Sequence, residues 1–324
     1  MSERTYLQAI GDAMREEMRR DDRVFVIGED VGAIGGAFKV TAGLQEEFGA
    51  RRVIDAPLSE IAIVGSATGA AMMGLRPIAE MQYADFVSCA WDQIVTVAAK
   101  QHWRAGTAIP MVLRLPSGGG FAGGPFHSQC PESSFAHIPG LKCVCPSTPA
   151  DAKGLLLSAI RDPNPVLFFE HKYLYRRAKA EVPDGTDGIP LGEARLQREG
   201  RHVSVITWGA MVHTAELSAQ ELEGEGVSVE IVDLRCVLPW DKQAVLDSVR
   251  KTSRLLVLHE DTRTGGFGAE IAATVAAEAF EALDAPRCAS AAPDTPVPFS
   301  PTLEKAFIPQ VADVIAGIRA LSSY

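Results

Sequence analysis

The sequence predicts an α/β protein made of two doubly wound domains. Short apolar runs of strand length alternate with longer segments of helical spacing from Val24 to Phe169, the pattern of a mostly parallel sheet with helices on both faces. Between Glu181 and Gly192 the alternation lapses into Pro, Gly and Asp, and it resumes at Val203. A length of 324 residues is also that of two domains of ordinary size. The expected domains are residues 1–185 and 186–324.

Elements follow in order along the chain. Thr5 to Arg20 has Ile10, Met14 and Met18 on one side and charged residues on the other, so it is expected to be an amphipathic helix. Val24 to Ile27 is a buried strand ending in Gly28-Glu29-Asp30-Val31-Gly32 and Gly35-Gly36, and strand ends of this kind hold ligands in open α/β sheets. These glycines lack the GxGxxG spacing of a dinucleotide fingerprint. Pro57 and Ser59 signal a helix start, and Ile61 to Met73 carries Ala, Gly and Ser where a surface helix carries Lys and Glu. That helix is expected to be buried on most sides, which puts Glu60 at its positive end in surroundings that disfavour the ion. A plain role in completing the first turn is the alternative for Glu60.

Leu75 to Phe86 is expected to be a strand emptying into a loop, Asp92 to His102 a helix, and Pro110 to Leu115 a strand. That strand runs into Pro116 to Gln129, where five glycines fall between Gly118 and Gly124 and make an adaptable loop ending near His127. For His127 itself a purely structural bond is an equal alternative. Gly140 to Cys145, Ala150 to Arg161 and Val166 to Phe169 complete the first domain. In the second, strands at Val203–Thr207, Ser228–Val232 and Leu255–His259 alternate with helices at Val212–Glu223, Lys242–Arg250 and Phe267–Leu283. The Pro-rich stretch Ala292 to Pro301 precedes a last helix, Gln310 to Leu321.

Composition excludes several classes of function. A net charge of −10 argues against nucleic acid or an anionic membrane as the main partner. No apolar run is long enough to span a bilayer and no signal peptide precedes Met1-Ser-Glu-Arg-Thr, so the expected location is cytoplasmic. Cysteines 89, 130, 143, 145, 236 and 288 form no CxxC pair and are expected to be buried thiols. GxSxG, HExxH and GxxxxGK are all absent, which leaves Glu60 and His127 as the candidates for chemistry.

Six segments in this order, Gly28–Gly32, Pro57–Gly65, Arg76–Glu80, Pro116–Gly120, His127–Glu132 and Asp294–Pro296, resemble the beta subunit of the thiamine-diphosphate-dependent first component of 2-oxo acid dehydrogenase complexes. The resemblance runs nearly end to end. It implies a pyrimidine-binding domain followed by a transketolase C-terminal-type domain. It also implies that Glu60 hydrogen-bonds the aminopyrimidine of thiamine diphosphate and shares a proton with it, and that His127 assists acyl transfer to a lipoyl-lysine. Phe86 matches an aromatic residue beside the aminopyrimidine, and Gln82 and Glu29 match pocket positions. In some members backbone carbonyls matching Ile109, Met111, Val112, Ala159, Asp162 and Asn164 hold a structural potassium ion. The GDG motif and later Asn that hold magnesium and the diphosphate are absent from this chain. An alpha subunit is therefore implied to supply them in a heterotetramer of two alpha and two beta chains, docked on a dihydrolipoyl acyltransferase core. The implied substrate is a small 2-oxo acid, either pyruvate or a branched-chain acid. An acetoin dehydrogenase beta chain and a docking subunit that no longer catalyses are the alternatives.

Overall fold

The structure, a computed structural model, describes residues 1–185, 187–286 and 288–324, with Cys288 described by its backbone alone. The expected start of the second domain falls on Thr186, outside the described residues. Two compact units are present: Met1–Ser117 with Ser134–Leu191, and Gly118–Ser133 with Gly192–Tyr324. Among the described residues no helix is long and apolar enough to cross a membrane.

In the first unit six parallel strands lie side by side in the order Lys142–Val144, Val166–His171, Val112–Ser117, Arg76–Glu80, Val24–Gly28 and Val53–Asp55. Buried on both faces, they read in the sequence as continuous apolar runs rather than as alternation. Helix Tyr6–Arg20 starts on a reciprocal cap between Thr5 and Gln8 and buries Tyr6, Ile10, Met14 and Met18. It packs on helix Pro149–Arg161, where the buried Glu17 is paired by Arg20 and Arg161. Ser2–Thr5 and Lys179–Val182 form a short antiparallel pair that the sequence does not announce, because neither strand carries an apolar run.

Three charges meet across the central strands. Arg114 has no exposed surface and forms a fork with Glu170, Nε to Oε1 at 2.6 Å and Nη2 to Oε2 at 2.7 Å, while its Nη1 pairs with Glu80. Tyr175 donates its hydroxyl to Glu170 at 2.7 Å. Burial pushes the Glu80 carboxyl up, and the Arg114 charge opposes that.

Two expectations are corrected in this unit. Helix Glu60–Met72 is not buried on most sides: it buries Ile63, Val64, Ala67, Thr68 and Ala71 but leaves Ile61, Ala62, Ser66 and Gly69 exposed, with Leu58 82% and Met73 84% exposed at its ends. Its small residues face outward, and among the described residues nothing covers that side. Asp92 to His102 is not one regular helix either. A 3-10 stretch, Ala84–Ala90, leads into a π turn at Gln93–Ala98 and then helix Ala99–Ala105. Cys89, on the outward side of the 3-10 stretch, is exposed, whereas Cys130, Cys143, Cys145 and Cys236 are buried thiols.

The second unit holds a five-stranded sheet in the order Cys288–Ala292, Leu255–Thr262, Val203–Thr207, Val229–Asp233 and Arg195–Arg198, with the last strand antiparallel. The two edge strands go unmarked in the sequence because one is small residues and the other mostly polar. The expected helix Phe267 to Leu283 ends at Glu278 and continues as a 3-10 turn, Phe280–Ala282.

Replacing Arg114 with Ala leaves two buried carboxylates facing each other, and breaking a buried ion pair from one side costs about 3–5 kcal/mol. Chemical denaturation of the Arg114→Ala chain should therefore show a loss of that size. A loss under about 1 kcal/mol, the range of surface pairs, would mean that the two acids rearrange to reach water.

Candidate active site

The first unit gathers acidic and aromatic groups at the C-terminal ends of two neighbouring strands. Beyond strand Val24–Gly28 the chain turns sharply: Asp30 takes a left-handed conformation at φ 58°, and Gly36 donates to the Asp30 carbonyl at 2.7 Å. Asp55 accepts the Gly32 N–H at 2.6 Å, and a side chain at residue 32 would displace the ends of Gln45 and of that carboxylate, which it would meet at 2.2 and 2.4 Å. A side chain at Gly36, itself at φ 80°, would press on Glu80 at 3.2 Å.

This turn fixes Glu29, which is 6% exposed and leaves its buried Oε1 without a hydrogen-bond partner. Burial pushes its carboxyl up, the charges of Glu60 and Asp30 push the same way, and the Ser59 backbone N–H opposes them. Glu29 and Glu60 are thus neighbouring carboxylates. Glu60 is half-buried in the first turn of its helix, and Ser59 makes no side-chain cap there. That helix packs against the stretch Ala84–Ala90, which carries the half-buried Phe86. Phe86 meets Tyr83 edge to face at 5.5 Å, Tyr83 meets Phe38 in the same way at 5.4 Å, and Gln82 donates to Asp30 at 3.3 Å. A buried acid with one oxygen unpartnered, a second acid beside it and a nearby aromatic wall suit a flat nitrogen heterocycle that offers N–H groups to carboxylates.

The six candidate potassium residues lie on two segments brought together by the Val112↔Val166 register. The carbonyls of Ile109, Met111 and Ala159 accept backbone N–H groups of Met111, Val166 and Asp162. Arg76 donates to the Asp162 carbonyl at 3.3 Å, and Lys142 binds its carboxylate at 2.5 Å. Asn164 Oδ1 lies 2.8 Å from His102 Nδ1. Two cations thus already act on Asp162, a poor fit to a further one.

His127 belongs to the second unit, half-buried at the end of the 3-10 turn Gly124–Phe126, where its N–H reaches the Gly124 carbonyl at 3.3 Å. Sequence reasoning did not single out the acids gathered around the loop that carries it. Glu132 is buried and accepts the Trp208 indole N–H at 2.9 Å, while Ser133 donates to Asp261 at 2.6 Å. Burial pushes Glu132 up to about 8, and the Asp261 charge pushes the same way. Burial raises Asp261 as well. The one available signal was Glu132 within the segment His127–Glu132; Asp261 meets it only through folding.

A carboxyl raised from 4.5 to about 8 in the folded chain is a stability statement. Its stabilising contribution is fully present below pH 4.5 and is lost as pH rises toward 8, where the folded state must hold a proton that the unfolded state has released. Glu132→Gln keeps an acceptor for Trp208 and removes the titration. Thermal unfolding of this variant should be less pH-dependent between pH 5 and 8, and the variant should gain about 1–3 kcal/mol over the natural chain at pH 8. An unchanged pH slope would show that Glu132 ionises freely in the fold.

Two family matches divide the chain near residue 190, with residues 118–133 of the second unit falling inside the first match. The pyrimidine binding domain of transketolase matches residues 2–178, and the transketolase C-terminal domain matches residues 192–314. The chain is 50% identical over 327 residues to 2-oxoisovalerate dehydrogenase subunit beta of Bacillus subtilis, covering 100% of both chains. It is 44% identical to pyruvate dehydrogenase E1 component subunit beta of the same organism, again over 100% of both. Acetoin:2,6-dichlorophenolindophenol oxidoreductase subunit beta of Cupriavidus necator is 47% identical, over 96% of this chain and 95% of the relative. Among solved structures, a split-gene transketolase described as an inactive beta4 tetramer superposes with a TM-score of 0.80 at 20% identity over 98% of each chain, a likeness of fold.

Proposed function

Because the chain belongs to the family of beta subunits of thiamine-diphosphate-dependent 2-oxo acid dehydrogenases, we propose that it supplies the pyrimidine side of an active site that decarboxylates a small 2-oxo acid and passes the acyl group to lipoyl-lysine. The carrying observation is the pair Glu29 and Glu60, with its unpartnered buried carboxylate oxygen, beside the helix contact that brings in Phe86. Thiamine diphosphate, when bound, supplies the electron sink for decarboxylation. Glu60 holds and shares the proton at the pyrimidine ring nitrogen, since a half-buried carboxyl can exchange it. Glu29, whose carboxyl burial and the charges of Glu60 and Asp30 push up, offers its unpartnered oxygen Oε1 beside Glu60. Phe86 bounds the ring and Gln82 orients the Asp30 turn. His127, on its loop, meets the lipoyl arm.

The diphosphate and magnesium are assigned to an alpha subunit, since this chain has no GDG motif. The uncovered face of helix Glu60–Met72 supports such a partner, because exposed Ala62, Ser66 and Gly69 let another backbone approach closely beside Leu58, Ile61 and Met73. The assembly is proposed as two alpha and two beta chains, active only together, docked on a dihydrolipoyl acyltransferase core in the cytoplasm. The domain border is proposed at residues 185 and 186. A structural potassium ion at the carbonyls of Ile109, Met111, Val112, Ala159, Asp162 and Asn164 would have to share Asp162 with Arg76 and Lys142.

The higher identity to the 2-oxoisovalerate enzyme than to the pyruvate enzyme of one organism supports a branched-chain 2-oxo acid as substrate. Acetoin is the second reading, favoured by the relative at 47% identity. The reconstituted alpha–beta pair, assayed with each of the three compounds, should turn over the branched-chain acid fastest. Glu60→Gln should slow decarboxylation about a hundredfold or more, the usual loss when a proton-sharing acid is removed, with little effect on folding. Near-normal turnover of that variant would return Glu60 to a plain role in its helix turn.

A further inference from the structure

Five glycines give the loop carrying His127 many backbone states, and its own side chains do little to choose among them. The neck is closed by Gly118 N–H on the Gln129 carbonyl at 3.0 Å, and Gln129 Nε2 reaches back to the Pro125 carbonyl at 2.8 Å. Inside the neck the chain passes through Ala122 at φ 60°, a left-handed conformation that alanine disfavours and that no side chain of its own can hold. The Ala122 N–H is taken instead by Glu304 Oε2 at 2.9 Å. Glu304 is 4% exposed on the short helix Pro301–Phe307. Its other oxygen stands where a side chain at Gly119 would meet it at 3.1 Å, while the Gly119 N–H is held by Glu260 at 2.6 Å. Two residues past Ala122, Gly124 takes φ 68° under the ring of Phe299, which a side chain there would strike at 2.3 Å. Hydrogen bonds from backbone N–H to a buried carboxylate are among the strong ones, so Glu304 is suited to hold Ala122 in its disfavoured state.

We propose that Glu304 is a positioning residue that grips the glycine-rich loop at Ala122 and thereby sets where His127 stands. The proposal rests on the reading of His127 as the group that meets the lipoyl arm. Without the grip, Ala122 relaxes toward right-handed backbone, and the five residues from it to His127 follow.

The test uses the beta chain reconstituted with its alpha partner, in the variants Glu304→Ala, Glu304→Gln and Glu304→Ala with Ala122→Gly. Hydrogen exchange at residues 119–127 reads the loop. Acyl transfer to a free lipoyl domain and decarboxylation with an artificial electron acceptor read the site. Glu304→Ala should speed loop exchange about tenfold or more. It should also slow acyl transfer about tenfold, with a clearly smaller loss in decarboxylation. Glu304→Gln, which keeps an acceptor oxygen, should stay near the natural chain. The double variant should regain most of the transfer rate, because glycine adopts the left-handed state unaided. Unchanged loop exchange in Glu304→Ala overturns the proposal, as does faster exchange with unchanged transfer. A Glu304→Ala chain whose second unit fails to fold makes Glu304 structural and overturns it too. His127→Ala in the same preparation separates the two readings: if it leaves transfer intact, the role of His127 falls, while loop exchange still decides whether Glu304 holds the loop.

Discussion

Arg114 lies between Glu80 and Glu170 on three adjacent parallel strands, and none of the three side chains has water enough to solvate its charge. Taking such charges out of water is costly, and the arrangement holds only while each carboxylate keeps its place on the guanidinium. Slipping any of these strands by one residue would send a charge to the opposite face of the sheet, so the cluster ties register to the strand ends. Those ends carry the candidate site. Glu80 stands behind the turn at Gly36 that places Glu29, and two residues beyond Glu80 the chain reaches Gln82.

Helix Glu60–Met72 is the element on which the proposed alpha partner would act. Its inner side seals the first unit with Ile63, Val64 and Ala67, and its outer side is made of residues too small and too apolar for a face meant for water. Glu60 sits at the head of this helix, so a partner covering the outer side would also bury the acid more deeply. Assembly and proton chemistry would then be coupled through one element.

The parallel strands were legible because burial on both faces leaves a continuous apolar signature, as in Val112–Ser117 and Val203–Thr207. Edge strands such as Arg195–Arg198 and Cys288–Ala292 leave none. The outward face of helix Glu60–Met72 was misread because Ala and Gly carry the same signature whether they face a core or await another chain. Glu60 and His127 were visible through neighbouring motif residues. Arg114, Glu132 and Glu304 were not, since their meaning lies in partners 34, 76 and 182 residues away along the chain.

The central claim is that the chain contributes half a cofactor site. Isothermal titration of thiamine diphosphate with magnesium into the isolated chain, and then into the chain reconstituted with an alpha subunit, tests it most directly. The isolated chain should show no saturable binding and no turnover of any 2-oxo acid, and one cofactor should bind per beta chain once the partner is present. Saturable binding with decarboxylation by the isolated chain would contradict it.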